Sequence, residues 1–84
     1  MGFYFVTFRS VTFAQRAERL LHNRGLRVTL MRTPRWMEEQ GCGYALRFWS
    51  SDISREIRLL RENKIQLRRV YAQQEDGDLE EMTL

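Results

Sequence analysis

Residues 44–63 read Tyr-Ala-Leu-Arg-Phe-Trp-Ser-Ser-Asp-Ile-Ser-Arg-Glu-Ile-Arg-Leu-Leu-Arg-Glu-Asn, and the change of period inside them decides the fold. The first six residues, 44–49, combine aromatic and aliphatic side chains and predict a strand. Ser50, Ser51 and Asp52 then supply helix N-cap candidates. Beyond them Ile53, Ile57 and Leu60, with Leu59 beside them, fall at helical spacing and predict a helix to about Asn63.

Working outward, residues 66–72 predict a further strand, although Arg68-Arg69 blurs its alternation. Upstream, residues 3–8 are rich in aromatic and β-branched side chains and read as a central strand, apolar on both faces. Thr12 with Gln15 gives a capping-box pattern, and Phe13, Ala17, Leu20 and Leu21 form one apolar helical stripe. Gly25 stands where a helix takes a left-handed residue after its C-cap. Residues 27–32 alternate, with Val28 and Leu30 on one face, and predict a strand that Thr33-Pro34 ends.

The order is β-α-β-β-α-β. It predicts an α+β, ferredoxin-like sandwich, a four-stranded antiparallel sheet with two helices on one face. The domain is expected over residues 1–72. Residues 73–84 hold five acids and no base, and are expected to be a mobile acidic tail. A sheet covered on one side leaves the other open. Phe3, Tyr4, Phe5, Phe8, Phe48 and Trp49 are too many aromatics for one thin core, so some are expected on that open face. An exposed aromatic patch marks an interface, which predicts a homodimer or a docked partner there.

Composition excludes several classes. The chain has 84 residues, 43% of them apolar, which suits one small globular domain and argues against disorder. A single cysteine cannot form an internal disulfide, no apolar run approaches a membrane span, and the N-terminus reads as a strand without a signal-peptide pattern. The cytoplasm is the expected location. Six of the 11 acids stand in residues 1–72 with all 14 bases, so that part carries a net +8 under an overall +3. Thirteen of the bases are arginine, whose planar fork suits oxyanions. An anionic partner is therefore one reading of the charge, and a solvated surface is the other.

Chemistry concentrates between the second and third strands. Arg32-Thr33-Pro34-Arg35 is followed, after six intervening residues, by Cys42-Gly43, with Gly41 before the cysteine. If the two strands pair as a hairpin, both ends of this loop meet, and Cys42 faces Thr33 and two arginines. Guanidinium groups favour a thiolate, and flanking glycines leave backbone N–H groups open to an anion. A thiolate so placed is a nucleophile or sulfur acceptor. The opposing reading makes Cys42 a small buried hydrophobe and the glycines ordinary turn residues.

These residues resemble a family. Phe5-x-Thr7-Phe8, Ala17-Glu18 with Leu20-Leu21, Thr33-Pro34-Arg35 and Cys42-Gly43-x-Ala45-Leu46-Arg47-Phe48 are similar, in order and spacing, to the selenium/sulfur carrier-like family of small bacterial proteins. The resemblance runs from about Phe3 to Tyr71. It implies a cysteine, Cys42, that carries sulfur or selenium between enzymes, with Thr33, Pro34 and Arg35 as its accompanying loop. It also implies a sulfur- or selenium-handling enzyme as partner.

Other chemistries find little support. A structural zinc needs four ligands, while His22 and Cys42 are the only soft ones, on separate elements. No Gly-rich phosphate loop exists and no nucleophile–base pair stands in sequence, so neither a cofactor nor turnover by this chain alone is expected. Nucleic acid remains the competing reading, because RNA-binding modules share this element order and stack bases on sheet aromatics. A small regulatory or assembly module is the third.

Overall fold

A computed structural model describes residues 2–33 and 43–83. Its elements run β1 (Gly2–Thr7), α1 (Val11–Asn23), β2 (Val28–Arg32), β3 (Tyr44–Ser50), α2 (Ile53–Glu62), β4 (Val70–Gln73) and β5 (Leu79–Glu81). All described strands form one antiparallel sheet in the order β2-β3-β1-β4-β5. The elements run β-α-β-β-α-β-β, so the expected series is extended by one strand, and the sheet has five strands rather than the four of the expected ferredoxin-like sandwich.

The fifth strand comes from the acidic segment. Leu79 pairs with Gln73 and Glu81 with Tyr71, and the Met82 N–H donates to the Val70 carbonyl at 2.8 Å. Gly77, at φ 92°, turns the chain back for this pairing. An edge strand with free backbone groups recruits such a partner readily, even a short acidic one.

Alternation sets the two faces of the sheet. Val6, Leu46, Phe48 and Val70 point to the helix side. There they pack against Ala14, Ala17 and Leu21 of α1 and against Ile53, Ile57 and Leu60 of α2. Phe8 completes this core from beyond the end of β1. On the opposite side Phe5 and Tyr71 are cross-strand partners and pack with Met31 and Leu79. No helix among the described residues is long and apolar enough to cross a membrane.

The helix ends follow local chemistry. Ser10, not Thr12, is the N-cap of α1, its hydroxyl accepting the Phe13 N–H at 3.2 Å. Both helices close in the same way. After α1 the Gly25 N–H reaches the His22 carbonyl and the Leu26 N–H the Leu21 carbonyl. After α2 the Lys64 and Ile65 N–H groups reach Arg61 and Leu60. The left-handed position is Gly25 in the first case, at φ 89°, and Lys64 in the second, at φ 59°.

The last expected strand, 66–72, begins irregularly for an identifiable reason. The Arg68 N–H donates to the Thr7 carbonyl, and the Thr7 N–H donates to Arg69. Arg68 and Arg69 together thus answer the single residue Thr7, which is a bulge. The Arg69 N–H that the bulge frees is taken by Thr7 Oγ1 at 3.1 Å.

Candidate functional site

Thr33 and Gly43 close the base of the segment that holds the cysteine. β2 and β3 pair from Val28 with Phe48 to Arg32 with Tyr44. One further bond, from the Thr33 N–H to the Gly43 carbonyl at 3.0 Å, carries the ladder past both strand ends. Thr33 and Gly43 are thereby hydrogen-bonded neighbours at the end of the β2–β3 hairpin. Gly43 sits at φ 84°, where a side chain would be strained.

Two side chains flank this base. The Arg32 guanidinium lies 5.5 Å from the Tyr44 ring centroid, within cation–π range. Thr33 is 9% exposed, and its Oγ1 is buried with no hydrogen-bond partner among the described residues. Of the residues singled out in the sequence, Arg32, Thr33 and Gly43 are brought together. Pro34, Arg35, Gly41 and Cys42 lie outside the described residues.

The open face of the sheet carries the second group. Phe3 and Trp49 are cross-strand partners, and they are 40% and 50% exposed. Arg47, opposite Phe5 in the β1–β3 register, lies 3.8 Å from the Phe3 ring centroid and 5.8 Å from that of Phe5. Its Nη2 also donates to Gln73 Oε1 at 3.3 Å. The expected division of aromatics therefore holds for this face. Phe3 and Trp49 stand outward, while Phe8 and Phe48 are buried on the helix side.

One polar cluster was not legible in the sequence. Glu56 is 2% exposed on α2, and Ser50 Oγ donates to its Oε1. The same Oγ accepts the Asp52 N–H at 3.0 Å, while the Asp52 side chain makes no capping bond. Arg55 Nε meets Glu56 Oε2 at 2.8 Å. That hydrogen bond, then the Glu56 charge, holds the Arg55 guanidinium above its ordinary pKa. Ser50 thus turns the chain between β3 and α2 and supplies the buried carboxylate with a donor.

The fold so described is a small α+β domain, with two helices on one face of an antiparallel sheet. Residues 3–72 match the family described as "Putative Se/S carrier protein-like", and the chain belongs to that family. Neither the curated proteins nor the solved structures give a match.

Proposed function

We propose that the protein is a sulfur or selenium carrier whose Cys42 accepts one chalcogen atom and hands it to a partner enzyme. The observation that carries this reading is membership of the carrier-like family over residues 3–72, which span the Thr33-Pro34-Arg35 and Cys42-Gly43 segment. The bond between Thr33 and Gly43 supports it, because it fixes both ends of that segment on the sheet.

The exchange needs no outside oxidant. The Cys42 thiolate attacks the terminal sulfur of a donor persulfide, R–S–SH. The donor S–S bond breaks, R–S⁻ leaves, and Cys42 becomes a persulfide. A nucleophile on the acceptor then attacks that terminal sulfur, and the Cys42 thiolate is released unchanged. Selenium moves by the same displacement at selenium. In this reading Arg32 and Arg35 favour the thiolate and the anionic persulfide, while Gly41 and Gly43 leave room for a partner's reacting group.

The protein in this role is a carrier that does not turn over substrate by itself. It works in the cytoplasm, where thiols stay reduced. We read β1 to β4 with the two helices as a ferredoxin-like unit to which β5 is added. The test is the rate of alkylation of Cys42 against pH. A carrier thiol titrates well below the free value of about 8.5 and reacts in the folded protein.

A second reading rests on the open face, where the exposed rings of Phe3 and Trp49 stand with the half-buried Arg47. Such a patch suits stacking of single-stranded RNA bases, or an interface with a second copy. Trp49→Ala separates these uses from the relay. It abolishes salt-dependent RNA binding or dimerisation, and leaves sulfur loading of Cys42 unchanged.

A further inference from the structure

The strongest unassigned feature is a basic trough beside the bulge that precedes β4. Arg61, at the end of α2, and Leu67 are shared walls of two adjoining cavities of about 820 and 590 Å³. Arg9 and Lys64 line the first, Arg68 and Arg69 the second. The bulge explains why two successive residues reach one wall, since both face the single residue Thr7. One acid enters this surface. Glu81 meets Arg69 at 3.8 Å across an exposed contact.

Arg68 distinguishes this trough from an ordinary charged surface. Its Nη1 is buried from solvent and has no hydrogen-bond partner among the described residues. A buried guanidinium N–H without an acceptor is costly, and an anionic acceptor relieves it best. Arg61 and Arg68 line the same trough, and arginine forks suit a tetrahedral dianion, which offers several acceptor oxygens and two charges.

We propose that Arg61 and Arg68 form a binding site for a phosphate-class oxyanion, either the free ion or the phosphoryl end of a small molecule. The site lies at the same end of the sheet as the cysteine segment. Thr7 pairs with Ala45 of β3 on one side and bonds to Arg68 and Arg69 on the other. Two strand spacings, about 10 Å, therefore separate β3, which Gly43 precedes, from β4, which Arg68 and Arg69 precede. The proposal stands without the carrier reading, because it depends on no property of Cys42.

The test is calorimetric titration of the full chain with inorganic phosphate, glycerol 3-phosphate and acetate, at ionic strength held constant with chloride. Saturable 1:1 binding of either phosphate species, and none of acetate, is expected. Affinity for inorganic phosphate as well marks a free ion; affinity for the ester alone marks a phosphoryl end. Arg68→Met weakens binding about tenfold or more, as loss of a charged hydrogen bond requires. Glu81→Gln tightens it about two- to fivefold by removing the competing carboxylate. Arg47→Met removes an equal charge on the open face and leaves binding unchanged. Circular dichroism checks that each variant is folded, and Arg68→Lys, which keeps the charge, serves if Arg68→Met is not. Absence of saturable binding overturns the site, as does equal weakening by Arg68→Met and Arg47→Met.

Discussion

The backbone N–H of Thr33 donates to the carbonyl of Gly43, so the segment 34–42 leaves and re-enters the sheet at residues bonded to each other. The bond holds Thr33 and Gly43 side by side at the end of the β2–β3 ladder. The left-handed Gly43 is part of that pairing. Gly43→Ala should destabilise the domain by about 1–2 kcal/mol, read as a lower urea midpoint with an unchanged slope.

Thr33 tests the same base from its other side. Its buried hydroxyl has no partner among the described residues, so Thr33→Val removes an unsatisfied group at constant shape. Stability should stay level or rise by about 1 kcal/mol. A clear loss would mean that the hydroxyl is bonded in solution.

The two helix ends make an internal comparison. Lys64 holds at φ 59° the place that Gly25 holds at φ 89°. Lys64→Gly should raise stability by about 1 kcal/mol, and Gly25→Ala should lower it by a similar amount. Thermal unfolding of the two variants beside wild type reads both signs.

Glu56 is the buried polar residue with the most to lose. Glu56→Ala strands Ser50 Oγ and the Asp52 turn, and should lower stability by about 2–3 kcal/mol. Glu56→Gln keeps an acceptor for Ser50 and should lose less. Equal losses in the two variants would show that volume, and not the hydrogen bond, matters here.

β5 joins a segment that composition marks as a tail to the sheet. Ending the chain at Gln73 removes Leu79 and Met82, which pack on opposite faces, and bares the β4 edge. Loss of about 2 kcal/mol and a tendency to associate through β4 are expected. Chemical unfolding and light scattering on the shortened chain measure each.

Much of the fold was legible because it rests on period. Ile53, Ile57 and Leu60 announce α2, and Gly25 announces the end of α1. β5 was not legible, since Leu79-Glu-Glu has one apolar residue and is a strand only through pairing with β4. Nor was the Ser10 cap, because Thr12 and Gln15 offered a competing pattern two residues later. The meeting of Arg32, Thr33 and Gly43 followed from Thr33-Pro34 ending one strand and glycine opening the next. Burial of Thr33 Oγ1 and of Glu56 did not follow, since alternation says nothing of which polar side chains a fold encloses. The Arg68-Arg69 pair, which blurred a strand pattern, is the sequence trace of the bulge.

The most direct test of the carrier reading is intact-protein mass spectrometry of folded wild type and Cys42→Ser after exposure to a low-molecular-weight persulfide. One added sulfur on wild type, none on Cys42→Ser, and loss of that sulfur when an acceptor thiol is supplied are expected. A wild-type protein that takes up no sulfur until it is unfolded, or uptake that persists in Cys42→Ser, would contradict that reading.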